Sequence, residues 1–122
     1  MHDNNLVKDY AGYRLERAKE DLKAAHLLFD AGNYRIANNR AYYAIFHAMR
    51  AVLVFDNFDS SKHSGIIGEF RRRYIKTEVF PVGISKMIGS AFTIRNASDY
   101  DDMFIASRVD TEEQIDNAEY IL

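Results

Sequence analysis

The run from Tyr34 to Phe55, YRIANNRAYYAIFHAMRAVLVF, constrains the fold more than any other part of this chain. It is too apolar for an ordinary surface helix. It is also too interrupted by charge for a membrane span, which needs roughly 18 or more uninterrupted apolar residues. Its polar residues are not scattered. At about 100° per residue along an α-helix, Arg40, Tyr43, His47 and Arg50 fall on one narrow stripe. Most of the circumference is apolar, so other helices must wrap it. The stripe must then be hidden against a partner or used.

The remaining segments supply the wrapping. With 122 residues, 48% of them hydrophobic and 28% charged, the chain is expected to be one globular domain, 1–122, with one core. A single proline, six glycines and long runs of 3.6-residue periodicity predict an all-α protein. A first helix is expected from about Val7 to Ala31. Leu15, Ala18, Leu22, Ala25 and Phe29 would form its apolar face, with Arg14, Glu16, Arg17, Lys19, Glu20, Asp21 and Lys23 around the rest. Gly32 and Asn33 provide left-handed positions for a tight end, which turns the Tyr34–Phe55 helix back antiparallel. After the polar loop Asp56–Ser61, a third helix is expected over Ser64–Thr77, with Ile67, Phe70 and Tyr74 inward and Arg71 to Arg73 outside. A break around Pro81 follows. A fourth helix then begins at Val82 or Ile84 and runs to Asn96, with Ile84, Ile88, Ala91 and Arg95 on one line. Ala97–Val109 reads as an irregular connection. Asp110 with Glu113, or Thr111 with Gln114, could box the start of a last helix, Glu112–Leu122. That helix stops without a terminal cap, which leaves room for the natural chain to continue. The expected architecture is an up-and-down bundle of four long helices plus a short C-terminal helix.

Composition also limits the chemistry. The chain has no cysteine, which removes disulfides, thiol catalysis and thiolate metal sites. A net charge of −2 gives no global basic field, although Arg71, Arg72 and Arg73 make a local one. The first ten residues, MHDNNLVKDY, lack the pattern of a secretory signal, so a cytoplasmic location is expected. His47 and His63 with Asp56 or Asp59 match no helical metal-ligand spacing, and neither a metal site nor a cofactor is expected.

Two groups of residues could bind or react. Arg95-Asn96-Ala97-Ser98-Asp99-Tyr100 sets an arginine and an amide at an expected helix end. The guanidinium is suited to phosphate, yet an Arg95–Asp99 pair that pins the loop is the plainer reading of these residues alone. The stripe Arg40, Tyr43, His47, Arg50 is similarly open. His47 reads as a satisfied core histidine before it reads as a base, and Tyr42 and Tyr43 as core rings with bonded hydroxyls. Lys62 and His63 open the third helix, whose N-terminus favours anions.

In order along the chain, NNRAYYAIFHAMRAVL, SKHSGIIGEF and RNASDY resemble the HEPN domain family, in its branch of small prokaryotic bundles. The resemblance runs from about Tyr13 to the end. It implies a four- to five-helix bundle that forms homodimers, with a composite cleft where two R-x(4–6)-H motifs meet. In active members that arginine and histidine cleave RNA without a metal, assisted by the polar residue after the arginine. The resemblance also implies a separate minimal nucleotidyltransferase partner, in toxin–antitoxin or phage-defence pairs. Arg95 matches the motif arginine and Asn96 the polar residue. Position 100 is Tyr100, however, and no histidine occurs between Ala97 and Arg108. A phenol with pKa near ~10 cannot exchange protons at neutral pH as imidazole does. In some members a tyrosine beyond the histidine is modified by the partner transferase, but Tyr100 lies two or three places too early for that role.

The leading expectation is a non-catalytic or weakly active HEPN module that binds RNA or a nucleotide as a homodimer alongside a nucleotidyltransferase. Its cleft would hold Arg95, Asn96, Asp99 and Tyr100, lined by Arg40, Tyr43, His47, Arg50, Lys62 and His63. The alternative is a metal-independent ribonuclease in which His47 or His63 substitutes for the missing histidine. A third reading is a dimeric scaffold in which Arg95 only pairs with Asp99.

Overall fold

Alanine spacing lines the most extensive helix contact among the described residues. The computed structural model describes residues 4–100 and 106–122, and side chains of residues 5–97 and 106–122. In it, α1 (Asn4–Asp30) and α2 (Tyr34–Val54) form an antiparallel hairpin. Ala11, Ala18 and Ala25 recur every seven residues on one side of α1 and are buried, as are Ala37, Ala41 and Ala44 on α2. Small side chains let two helix axes approach closely over a long contact. Leu15, expected inward, is therefore exposed, because the seam runs along the alanines instead. Asp21, expected on the solvent side, is buried at 7% exposure.

The hairpin turn is a Schellman motif. Gly32 has φ 79°, its N–H donates to the Phe29 carbonyl, and the Asn33 N–H donates to the Leu28 carbonyl. Glycine takes that left-handed position without a Cβ penalty. Asn33, expected to share it, has φ −92° and begins α2 instead.

Helix α3 (His63–Phe70) is shorter than expected and passes into a π-helical turn, Arg71–Ile75, closed by the Lys76 N–H donating to the Arg71 carbonyl. The wider turn brings Arg71 inward, where its guanidinium donates to the Ser85 carbonyl of α4. Arg71 is thus a strut between helices, while Arg72 and Arg73 pair with Glu69 near the surface.

Helix α4 spans Val82–Tyr100, one turn longer than expected, and α5 spans Arg108–Ile121, beginning earlier than Glu112. The cap of α5 is neither expected box: Ser107 accepts the Asp110 N–H on its side chain. The C-terminal helix, at 14 residues, is longer than α3, which has eight. All the described elements are helical, in an all-α bundle, as expected.

Helix α2 is the spine and touches α1, α3, α4 and α5. Tyr42, Ile45, Met49 and Leu53 are almost fully buried on it, packed with Ile66, Phe70, Ile88 and Ile115 from the other helices. Among the described residues, no helix is long and apolar enough to cross a membrane.

One polar contact ties α5 to the spine. Asn38 Nδ2 donates to Thr111 Oγ1 at 3.0 Å, and that hydroxyl donates to the Ser107 carbonyl at 2.7 Å. Both residues are buried, so Thr111→Val should cost about 1–3 kcal/mol by stranding the Asn38 amide. Urea unfolding checks this. Asn38→Leu combined with Thr111→Val should recover part of the loss, because two apolar partners strand nothing.

Candidate functional site

The stripe on α2 divides among three neighbours. At its N-terminal end Tyr43 faces α4. Arg95 Nη2 donates to the Tyr43 hydroxyl at 3.2 Å, and Nη1 to the Asn96 side-chain oxygen at 3.4 Å. The Arg95 guanidinium lies 5.5 Å from both the Tyr42 and the Tyr43 ring centres, within cation–π range. Arg40 lies over the Tyr43 ring at 5.0 Å. Because α4 continues to Tyr100, Arg95 projects from within a helix rather than from a helix end, and its position is held by the bundle.

His63, the first residue of α3, completes this half. Its Nδ1 is 2.7 Å from the Tyr42 hydroxyl, and its ring lies 4.2 Å from that of Phe46. Burial lowers the His63 pKa, and Arg95 and then Arg50 lower it further. Burial above all pushes the Tyr42 phenol up, so that hydroxyl stays protonated. When it donates to Nδ1, the neutral imidazole carries its proton on Nε2. Arg95, Tyr42, Tyr43, Phe46 and His63 thus form one cationic and aromatic cluster built from α2, α3 and α4.

His47 belongs to the other side, against α1. Its Nε2 is 3.6 Å from Asp21 Oδ2, while Arg40 donates to Asp21 Oδ1 at 3.1 Å. Burial is the largest force on this imidazole, followed by the guanidiniums of Arg17, Arg50, Arg14 and Arg40, and together they lower its pKa to about 4. Burial raises the Asp21 pKa against the pull of Arg40 and Arg17. A histidine so placed is neutral at physiological pH and serves packing, its buried Nδ1 having no hydrogen-bond partner among the described residues. Arg50, one turn on, grips Asp59 and lies 5.7 Å from the centre of the Phe46 ring.

The residues expected in the site therefore separate. Arg95, Asn96, Tyr43, Arg40 and His63 come together. His47 faces Asp21, Arg50 faces Asp59, and Lys62 stands exposed at the N-cap of α3 with its backbone N–H on Ser60 Oγ. The side chains of Asp99 and Tyr100 lie outside the described residues, and so does the Arg95–Asp99 pair. Tyr42 and Tyr43 are ring residues with bonded hydroxyls, as expected. Sequence reasoning missed Asp21 and Phe46. Asp21 was legible in hindsight: it sits three residues after Ala18 and four before Ala25, on the alanine face.

An arginine thus lies against two tyrosines of a helical bundle, beside a histidine at a helix start. The HEPN domain pattern matches residues 11–122, and the chain belongs to the HEPN domain family. It is similar to a candidate toxin of Methanocaldococcus jannaschii, 32% identical over 71% of this chain and 59% of that protein. A second candidate toxin of that organism is 33% identical over 80% of this chain and 72% of its own length. A UPF0332 protein of Thermotoga maritima is 32% identical over 90% of this chain and 83% of its own.

Proposed function

We propose that this chain is an RNA- or nucleotide-binding HEPN module of toxin-like type, with little or no catalytic activity. It would act as a homodimer beside a separate minimal nucleotidyltransferase. The observation that carries the reading is the Arg95 guanidinium poised over Tyr42 and Tyr43 and bonded to the Tyr43 hydroxyl. A guanidinium is a donor suited to phosphate, and the two tyrosines, Tyr42 at 1% exposure among them, hold it in place. The names of the two candidate toxins support the toxin-like part. The missing motif histidine supports binding over cleavage, because a phenol with its ordinary pKa near ~10 does not exchange protons near neutrality as imidazole does.

Arg95→Ala should weaken binding of a short single-stranded RNA by about 1–3 kcal/mol and reduce the salt dependence of binding by roughly one ion. Fluorescence anisotropy across a salt series measures both. Unchanged affinity and slope would remove Arg95 from the interface.

A second reading has its own observation. His63 shares the cluster with Arg95, and in the tautomer whose Nδ1–H donates to the Tyr42 hydroxyl its Nε2 is free to accept a proton. If the chain cleaves RNA, His63 rather than His47 is the substitute base. RNA cleavage in chelator by wild type, abolished by both Arg95→Ala and His63→Gln, would favour that reading over the non-catalytic one.

A further inference from the structure

Away from Arg95, a second cationic pair is closed by a carboxylate of the chain itself. Arg50 Nε and Nη2 grip Asp59 Oδ1 and Oδ2 at 3.0 and 2.7 Å, and Arg14 Nη2 donates to Oδ2 at 3.4 Å. The Ser60 N–H adds a bond to Oδ1 at 2.9 Å. The two arginines are sunk into the helices at 17% and 19% side-chain exposure, whereas Asp59 is 52% exposed on the loop after α2. Fixed cations lie beneath an anion on the solvent side. Arg14 Nε is buried and has no hydrogen-bond partner among the described residues, so this receptor has more donors than the carboxylate uses.

The neighbouring space is of a different kind. A cleft of about 330 Å³ opens between the start of α1 and the loop, bounded by Leu6, Tyr10, Val54 and Phe58, with Arg14 and Asp59 among its lining. Leu6 and Tyr10 are 47% and 55% exposed, so its apolar wall faces water. Its volume lies within the range of small-ligand sites, and an aromatic wall beside a cationic pair is the surface on which a base stacks while its phosphate is held.

We infer that this mouth is a nucleoside-phosphate subsite in which Asp59 occupies the phosphate position until the ligand displaces it. The guanidinium fork that now holds the carboxylate matches a phosphate equally well. A phosphate oxygen would also satisfy Arg14 Nε, and the base would cover the Tyr10 and Phe58 surface. The shared ligand chemistry is an aromatic base with an adjoining phosphate, supplied by a free nucleotide or by one step of an RNA strand. The subsite extends the proposed RNA- or nucleotide-binding function but does not use Arg95.

The test uses the full chain with three probes: adenosine monophosphate, inorganic phosphate and a short oligouridylate. Calorimetry gives affinities, and the arginine Nε–Hε resonances report the site. Asp59→Asn removes the competing charge and should tighten adenosine monophosphate binding about tenfold, shifting the Arg14 and Arg50 resonances. Inorganic phosphate should shift the same resonances with weaker affinity. Arg14→Gln added to Asp59→Asn should abolish the gain. Asp59→Ser serves as a second variant, because Asn keeps an oxygen for Arg50. A gain for oligouridylate as well as the monophosphate points to an RNA strand, and a gain for the monophosphate alone to a free nucleotide. No gain for either Asp59 variant, with melting curves showing both folded, overturns the inference. So does a gain that Arg14→Gln leaves intact, or equal competition by acetate. Arg95→Ala should leave the Arg14 and Arg50 shifts unchanged, so the two sites can fail separately.

Discussion

Tyr42→Ala is expected to lower the unfolding free energy by about 3–5 kcal/mol, the range for deleting a large buried ring. Tyr42 is 1% exposed and packs against the rings of Tyr43, Phe46, His63 and Phe92 under the Arg95 guanidinium. Its loss opens a cavity where α2, α3 and α4 meet, with few alternative side chains able to fill it. Tyr42→Phe keeps the packing and removes only the bond to His63 Nδ1, so it should cost about 1 kcal/mol. Urea unfolding of both variants separates ring from hydroxyl. If Tyr42→Ala cost no more than Tyr42→Phe, the ring would not be the joint described here.

The second large effect is on acid stability. Burial and the guanidiniums of Arg17, Arg50, Arg14 and Arg40 hold His47 at about 4 instead of 6.5. Between those values the unfolded chain binds a proton that the folded chain refuses. Stability therefore rises with pH across that window: it is complete above about 6.5 and is lost as pH falls toward 4. At about 1.4 kcal/mol per unit, the imidazole contributes as much as ~3 kcal/mol to the acid limb, less what the Asp21 carboxylate returns to a protonated His47. Denaturant unfolding at a series of pH values should show a shallower limb in His47→Gln than in wild type. Parallel limbs would mean that other groups drive acid unfolding.

Both predictions start from residues whose importance was only half visible beforehand. The stripe Arg40, Tyr43, His47, Arg50 was legible from helical spacing, and Tyr42 and Tyr43 from their apolar setting. What each stripe residue faces was not legible. Spacing gives an angle around one helix and says nothing about which neighbour lies at that angle. In the fold, Tyr43 meets Arg95 of α4, His47 meets Asp21 of α1, and Arg50 meets Asp59 of the following loop. The same gap explains Asp21. Composition placed it among charges on a solvated face, but the alanine seam brought α2 close enough to bury it. Helix ends went astray for a local reason. Ser107 caps α5 from a position that two capping-box patterns overshadowed, and the π turn after Phe70 accompanies a long-range bond from Arg71 to the Ser85 carbonyl of α4.

By itself, the amino-acid sequence determined the all-α class, the buried spine Tyr34–Val54, the Gly32 turn and the family, because periodicity, glycine placement and motif order are properties of the chain alone. Only the tertiary structure decided that the polar stripe of that spine is split. Arg95 and His63 meet across Tyr42, whereas His47 is held at a depressed pKa against α1. The reason is physical: pKa, cation–π contact and burial depend on which charges and rings converge in space. Residues 40, 43, 47 and 50 share one helix face, but their partners come from three separate segments of the chain.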